Sequence, residues 1–218
     1  KYSIAHAKYH PIFRSFLTKF GYYDLFLVDI DSGDIVYTVF KELDFSTSLK
    51  TGPYSATNIG RAFRKAADTA QGVVTLVDYE PYTPSYEDAA SFIATPVFSN
   101  GKKVGVLIFQ IPIDRVNAIM AERTGLGDTG ETYAVGPDFL FRNNSRFSEE
   151  LGVRTTILDP KHKILAPHAR MALNGESGTT NTVNYRGEPV LSSWSPMRIS
   201  DADAADPVTW ALLSEVTR

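Results

Sequence analysis

A helix is the first element that the pattern of apolar and polar positions predicts. Apolar residues of the stretch 1–20, among them Ile12 and Phe16, recur three and four positions apart, so they share one helical face. Gly21 is a suitable C-terminal cap, because glycine readily adopts the left-handed conformation. Pro11 is expected to mark the start of the regular part of this helix, since proline has no backbone N–H to donate.

Two strands and a second helix are predicted next. Residues 23–30 and 35–40 are apolar, β-branched and aromatic, and they flank a polar Asp-Ser-Gly-Asp sequence, which is typical of a β-hairpin. An apolar stripe at helical spacing then indicates a helix that Gly52 and Pro53 open and Gly72 ends.

Three further strands complete the first half. They are predicted at residues 73–80, 91–98 and 104–111, and the last two are joined by a Ser-Asn-Gly turn at 99–101. Gln110 is the one polar side chain in the last strand. If it is buried, its amide must find hydrogen-bond partners or lose about 1–3 kcal/mol.

The second half repeats this order in a shorter form. After Pro112 the apolar positions change to helical spacing, and residues 125–130 form a glycine-rich stretch that is typical of a linker. The elements predicted beyond it are a hairpin, a short helix and three strands, at residues 131–135 with 139–142, 167–173, 179–185, 189–195 and 210–216. We therefore predict an α+β fold of two tandem PAS-like domains, each an antiparallel sheet of about five strands flanked by helices.

Composition excludes several classes of protein. The net charge is −3 and no basic block is present, so nothing points to nucleic acid. There are no cysteines, which excludes disulfides and thiolate sites. No apolar run reaches the 18 or so residues of a membrane span. Because the chain opens in what resembles the middle of a helix, we expect it to be part of a longer protein.

Three short motifs resemble functional sites but lack the necessary context. Residues 125–130 match G-x-G-x-x-G, yet they follow a helix and precede a strand, the reverse of a nucleotide-binding loop. The acidic turn at 29–34 lacks the glutamate of a calcium loop, because Phe40 stands in its place. His6 and His10 share a helical face without a carboxylate neighbour, so solvated histidines are favoured over a metal site. No metal or cofactor is expected.

Two pairs of acidic side chains are expected to be solvated, Glu149 with Glu150 and Asp201 with Asp203.

One constellation of residues indicates a binding site. Arg61 and Arg64 flank Phe63 on the second helix, Tyr82 follows a strand, and Gln110 lies on the last strand of the first half. Arginines, aromatic rings and an amide that converge on a concave sheet suit a small organic anion. The alternative is that Phe63 is simply core and the arginines are solvated. The predicted ligand-binding residues are Tyr54, Arg61, Phe63, Arg64, Asp78, Tyr82, Ser91 and Gln110.

These residues carry a resemblance to a known family. The chain resembles the double-Cache sensor modules of bacterial methyl-accepting chemotaxis receptors and of related transmembrane kinases and cyclases. The matching stretches are RAFRKAA at 61–67, EPY at 80–82, ATPVF at 94–98 and GVLI at 105–108, extending to Gln110. In amino-acid-sensing members the first stretch looks like R-x-W-Y-x-x-A, the second like E-P-Y-x-D, and the strand ends in G-V-D-I. The resemblance implies that these positions hold a ligand's carboxylate and ammonium groups.

The chain departs from that pattern at three positions. Arg61 and Tyr82 are kept, but Arg64 replaces a tyrosine, while Pro84 and Gln110 each replace an aspartate. Each charge-assisted hydrogen bond that an ammonium group loses is worth about 1.5–3 kcal/mol. We therefore expect an anion, such as a carboxylate, to be preferred over a free amino acid.

The resemblance also implies a function and a location. It implies a non-enzymatic sensor region, outside the cytoplasm, of a receptor in the cell membrane, most consistent with a chemoreceptor and alternatively with a histidine kinase or cyclase. Residues 1–20 would end a helix from the membrane, 21–121 would form the membrane-distal ligand-binding domain, and 122–218 the membrane-proximal one. Its partners would be a small molecule and a second copy of the chain. A small hydrolase or nucleotide-binding enzyme, and a purely structural dimerisation module, are the alternatives from other classes.

Overall fold

The chain forms two compact units. The computed structural model describes residues 1–200 and 207–217, and the predictions for Asp201 and Asp203 lie outside these residues. The units are Lys1–Pro112 and Ile113–Arg218, so the division falls nine residues earlier in the chain than the sequence-based boundary after residue 121.

The first unit is a five-stranded antiparallel sheet with helices. Its strands run in the order β2-β1-β5-β4-β3, which places β5 at the centre. Its elements are α1 (Tyr2–Phe20), β1 (Leu25–Asp29), β2 (Ile35–Thr38), α2 (Asn58–Ala67), β3 (Thr75–Tyr82), β4 (Asp88–Ser99) and β5 (Lys102–Pro112), with a 3₁₀ turn at Thr83–Ser85. The predicted α+β class is confirmed, as are the hairpins β1–β2 and β4–β5.

Helix α1 runs without interruption through Pro11. The expectation that Pro11 marks the start of the regular part is therefore wrong. Pro11 lies on the exposed side of the helix, where water can hydrogen-bond the carbonyl that the proline leaves without a donor. The predicted cap at Gly21 is confirmed, because its φ is 66° and its N–H donates to the Leu17 carbonyl at 2.8 Å.

Helix α2 is shorter than the sequence predicts. It begins at Asn58 rather than at Gly52 and Pro53, and it ends at Ala67. Residues 50–57 form successive turns instead, in which Ser55 N–H donates to the Gly52 carbonyl at 3.1 Å. These turns use the proline and glycine that resembled a helix start, because the same residue types favour both structures.

Two apolar layers cover the sheet of the first unit. The larger one lies between the sheet and α2 and includes Phe26, Phe63 and Phe92, each at most 1 % exposed. The smaller one contains Leu17 of α1 together with Tyr37. Because both faces of the sheet are covered, its strands are apolar on both sides.

The second unit is a four-stranded antiparallel sheet in the order β6-β9-β8-β7. Its elements are α3 (Ile113–Met120), β6 (Glu131–Val135), α4 (Pro167–Leu173), β7 (Gly178–Val183), β8 (Pro189–Arg198) and β9 (Thr209–Thr217). Within the residues described, the strand predicted at 139–142 makes isolated bridges at Phe141 and no extended ladder. A buried cluster that includes Tyr133, Trp194 and Leu213 packs with α4.

None of the helices within residues 1–200 and 207–217 combines the length and the apolar character that crossing a membrane requires.

Candidate functional site

Tyr82 lies at the centre of the predicted site and is completely buried. Its ring packs edge-on against Phe92, with 5.2 Å between ring centroids, and its hydroxyl donates to Asp44 Oδ2 at 2.6 Å. The half-buried ring of Tyr54 lies 6.1 Å from it on a second side. A tyrosine with an apolar body and a charge-assisted hydrogen bond at its tip is held in one orientation.

Gln110 is buried. It is 3 % exposed and is the register partner of Phe92, whose ring packs against Tyr82. Its amide Nε2 donates to Ser85 Oγ at 3.0 Å, whereas its Oε1 accepts no hydrogen bond from the described residues. Tyr82 and Gln110 therefore belong to one buried region of the first unit.

The two arginines lie on the outer side of α2 and not in this buried region. Arg61 is half-buried, forms an ion pair with Glu80 and donates to the Ala56 carbonyl at 3.4 Å. Arg64 is exposed and donates to the Ser55 carbonyl at 2.7 Å. Both guanidinium groups thus hold the 54–56 segment, whose Tyr54 ring contacts Tyr82.

The remaining predicted residues have different surroundings. Phe63 is 1 % exposed and is a core residue. Ser91 is buried, and its hydroxyl donates to the Val77 carbonyl at 2.7 Å. Asp78 is half-buried, while Val77 and Tyr79 beside it take the buried positions. Of the eight predicted residues, Tyr54, Phe63, Tyr82 and Gln110 pack in one apolar-walled region, and Arg61 and Arg64 lie at its outer edge.

Two carboxylates that the sequence did not single out lie in the buried region. Asp44 is completely buried, and Glu42 accepts from the Tyr23 hydroxyl at 2.8 Å. The second oxygen of each, Asp44 Oδ1 and Glu42 Oε2, is buried without a hydrogen bond from the described residues. The loss of the two motif aspartates therefore does not leave this region without carboxylates, and the expected preference for an anion stays a prediction.

A fourth orphaned oxygen belongs to helix α2. Asn58 is completely buried and its Nδ2 donates to the Ala90 carbonyl at 2.7 Å, but its Oδ1 has no donor. The orphaned atoms of this region, from Glu42, Asp44, Asn58 and Gln110, are all assigned as hydrogen-bond acceptors. Such a set is chemically matched by a ligand that brings several N–H donors.

The acidic groups of this region affect one another. Burial, together with the neighbouring charges of Asp24 and Glu42, raises the pKa of Asp44 to about 6, against the opposing hydrogen bond from Tyr82. Burial likewise raises the pKa of Glu42. Asp24 is the structural member of the group, because its carboxylate accepts from the Thr38 hydroxyl at 2.7 Å and the Val39 N–H at 2.9 Å.

Sequence reasoning missed Glu42, Asp44 and Ser85 because they lie in polar stretches between strands. Acidic loop residues are usually solvated, so residue type gave no sign of burial. The one usable signal was proximity to the Glu-Pro-Tyr motif, since Ser85 follows Tyr82 by three residues.

The histidines of α1 contact other side chains of the first unit. His10 Nδ1 lies 2.8 Å from the Tyr37 hydroxyl, and His6 Nε2 lies 2.7 Å from Lys41 Nζ. Throughout residues 1–200 and 207–217, no cluster of three or more histidine, aspartate or glutamate side chains has metal-binding geometry.

Comparison with known proteins relates the chain to sensor domains by fold alone. No protein-family model and no curated protein sequence matches the chain. Among solved structures, the ligand-binding domain of the Pseudomonas fluorescens chemoreceptor CtaA in complex with L-serine matches with a TM-score of 0.54 and 14% identity, covering 90% of this chain and 73% of that chain. The periplasmic sensory domain of the Campylobacter jejuni chemoreceptor Tlp1 gives 0.58 and 13% identity, covering 89% and 71%.

A third similar structure comes from a different class of receptor. The extracellular domain of the histidine kinase vpHK1S-Z8 gives a TM-score of 0.59 and 11% identity, and it covers 99% of this chain and 74% of that chain. With sequence identities this low, the shared property is the fold. The chain therefore has the α+β, PAS-like fold found in extracytoplasmic sensor domains of chemoreceptors and a histidine kinase.

Proposed function

We propose that this chain is the ligand-sensing region of a membrane-anchored receptor, located in the periplasm or outside the cell. A chemoreceptor is the favoured class, and a histidine kinase or cyclase is the alternative. The observation that carries the proposal is the buried polar region around Tyr82, with its orphaned acceptors, inside a sensor-type fold. The similar solved structures are sensor domains, which supports a binding role rather than catalysis.

The ligand that we propose is a small organic molecule with a carboxylate and an amino group. The carboxylate would face Arg61 and Arg64, as the sequence predicts, and the amino group would donate to Asp44 and Gln110. This departs from the sequence-based preference for an anion over a free amino acid, because Asp44 and Glu42 offer buried carboxylates to an amino group. Similar solved chemoreceptor domains are in complex with L-serine, L-alanine or GABA, which supports such chemistry.

Signal transfer would begin at β5. Gln110 lies on this strand, and α3 follows it directly in the chain. We propose that the domain formed by residues 21–121 is membrane-distal, that 122–218 is membrane-proximal, and that ligand binding selects one of two states of the strand. The state with the higher ligand affinity is then stabilised by at most the difference between the binding free energies of the two states.

A calorimetric screen of the 218-residue chain tests the site. Small amino acids, dicarboxylates and aliphatic amines are titrated, and at least one compound with both groups is expected to bind saturably. Arg61→Ala is expected to lower the affinity for that ligand about 10-fold or more, because a charge-assisted hydrogen bond is lost. The amide of the same ligand is expected to bind the wild type and Arg61→Ala equally.

Lys102→Ala is the matched control, because it also removes one exposed cation from the first unit but lies at the distant β4–β5 turn. Equal weakening by both substitutions would contradict a specific role of Arg61. If no compound binds and the chain instead hydrolyses nucleotides, the enzyme alternative replaces the sensor proposal. If it does neither, a structural module remains.

We also propose that the chain pairs with a second copy through α1. Exposed apolar side chains lie eight and then four residues apart on this helix, with Ile4 78 %, Ile12 60 % and Phe16 41 % exposed. Ile12→Asp is expected to weaken self-association about 10-fold or more, because a carboxylate would be buried at the contact. Sedimentation equilibrium measures this, with Thr18→Asp as the control on an exposed part of α1 outside this apolar set. Equal association of the wild type and Ile12→Asp would contradict the pairing.

A further inference from the structure

The second unit contains a row of polar side chains on the buried face of its sheet. The register pairs Glu131 with Glu215 and pairs Glu215 with Ser192, so these residues form one row across β6, β9 and β8. All three are buried, at 5 %, 2 % and 0 % exposure. Two carboxylates directly opposite each other on neighbouring strands are unfavourable unless a partner of opposite charge is present.

Glu131 has its hydrogen bonds, whereas Glu215 does not. The carboxylate of Glu131 accepts from the hydroxyls of Tyr185 and Ser145. Both oxygens of Glu215 are buried without a well-formed hydrogen bond from the described residues. Burial raises the pKa of the Tyr133 hydroxyl, and the Glu215 charge and a side-chain hydrogen bond to Glu215 raise it further, so Tyr133 is the one described donor that reaches this carboxylate. The oxygens of Glu215 can therefore accept further hydrogen bonds.

Three more orphaned groups lie on the same face of the sheet as Glu215 or on α4 above it. His168 of α4 has its Nε2 3.5 Å from Glu215 Oε1, too far for a good hydrogen bond. Ser192 Oγ and Trp194 Nε1 are also without partners among the described residues. Trp194 is two residues from Ser192 on the same strand, so both point to the face beneath α4. The His168 and Trp194 rings lie 5.5 Å apart, which places the groups in one cluster.

The orphaned atoms define the chemistry of a complementary ligand. Two carboxylate oxygens require donors, and an indole N–H requires an acceptor, while the Ser192 hydroxyl can serve as either. His168 adds at most one positive charge beside two carboxylates. A small cation with several N–H donors and one oxygen acceptor therefore complements the cluster in both charge and hydrogen bonding.

We propose that the second unit has its own binding site for a small ammonium compound that also carries an oxygen acceptor. The ammonium group donates to Glu215, and the oxygen accepts from Trp194 and Ser192. A cavity of about 210 Å³ in this unit, between α3 and β6, has Glu131 at one end of the row in its wall. The proposal is independent of the ligand site in the first unit.

The site is closed in this structure, because its orphaned atoms are covered from solvent. Helix α4, with seven residues, is the short element that covers Glu215 and Trp194. Binding therefore requires a small displacement of α4. Ethanolamine is a suitable probe, because it carries one ammonium group and one hydroxyl, and ethylene glycol is its uncharged counterpart.

The test is an NMR titration of the full chain labelled with ¹⁵N. The chain has two tryptophans, Trp194 and Trp210, so two indole N–H signals are expected, and Trp210→Phe assigns them. Ethanolamine is expected to shift the Trp194 signal saturably and to leave the Trp210 signal in place, while ethylene glycol shifts neither. No shift of the Trp194 signal at about 10 mM ethanolamine, well above a typical weak Kd, would overturn the proposal.

Substitutions separate this site from its surroundings. Glu215→Gln keeps the shape of the side chain and is expected to weaken ethanolamine binding about 10- to 100-fold, whereas the exposed Glu176→Gln leaves it unchanged. If Glu215→Gln does not fold, Ser192→Ala provides the second variant, with binding expected to weaken several-fold. Asp44→Asn in the first unit is expected to have no effect here, so this proposal and the proposed sensor site can fail separately.

One competing explanation is that the cluster binds only a proton. In that case the Trp194 signal responds to pH, and ethanolamine has no effect on it at any pH, which would overturn the proposal. Equal ethanolamine affinity of the wild type and Glu215→Gln would likewise overturn the proposal.

Discussion

Replacing Phe63 by alanine is expected to lower the free energy of unfolding of the first unit by about 3–5 kcal/mol. Phe63 projects from α2 into the main apolar cluster, where it is 1 % exposed, so truncation leaves a cavity that the sheet closes only partly. Urea denaturation followed by circular dichroism measures the change as a lower midpoint at an unchanged slope.

The same substitution decides between two roles for Phe63. Phe63→Leu is expected to cost less than Phe63→Ala, because more of the side-chain volume is kept. If Phe63→Ala has nearly wild-type stability yet loses ligand affinity, the residue is a ligand contact and not a core residue. A loss of about 3–5 kcal/mol, measured in the absence of ligand, would confirm that Phe63 is a core residue.

Replacing Asp44 by asparagine is expected to raise the free energy of unfolding at pH 7 by up to about 3 kcal/mol. The pKa of Asp44 is raised to about 6 in the folded chain from its ordinary value of 3.8, chiefly by burial. The folded state therefore binds this proton more tightly than the unfolded state does. The contribution of Asp44 to the free energy of unfolding therefore falls as the pH rises from about 4 to about 6, and it stays low above that range.

Chemical denaturation of the wild type and Asp44→Asn at several pH values tests this expectation. The difference in free energy of unfolding should be small near pH 4 and should reach its maximum above pH 6. Asp31→Asn is the control, because it removes a carboxylate from the exposed turn of the β1–β2 hairpin. Parallel pH profiles for the wild type and Asp44→Asn would contradict the raised pKa.

Ligand binding should respond to Asp44→Asn in the opposite direction. For an amino-bearing ligand found by calorimetry, the affinity is expected to fall about 10- to 100-fold, because the charged acceptor beside Tyr82 is gone. A more stable chain that binds less well is the expected signature of a functional site that is strained without its ligand. Unchanged affinity would place the ligand elsewhere.

Local sequence signals predicted the elements whose ends are determined by single residues. Gly21 ends α1, Asn100 and Gly101 make the β4–β5 turn with φ values of 50° and 75°, and Pro167 opens α4. Each signal depends on the conformational preference of one or two residues, which neighbouring structure rarely overrides. The start of α2 was predicted wrongly, because proline and glycine near Pro53 fit a turn as well as a helix start.

The candidate site divides in the same way. Tyr82 and Gln110 could be proposed from sequence, because a motif and an apolar strand surround them. Arg61 and Arg64 were placed in the site, but an arginine's flexible side chain can reach several partners, and these two contact Glu80 and the 54–56 segment. Their part in binding stays a prediction.

The amino-acid sequence by itself determined the periods of the helices and strands, the main turns and the α+β class, because these depend on residues close together in the chain. Only the tertiary structure decided which polar side chains are buried. Asp44 meets Tyr82, Glu42 meets Tyr23, and Glu131 meets Glu215, across loops and neighbouring strands. The reason is physical: the desolvation of a carboxylate depends on everything packed around it, and most of those groups are distant in sequence.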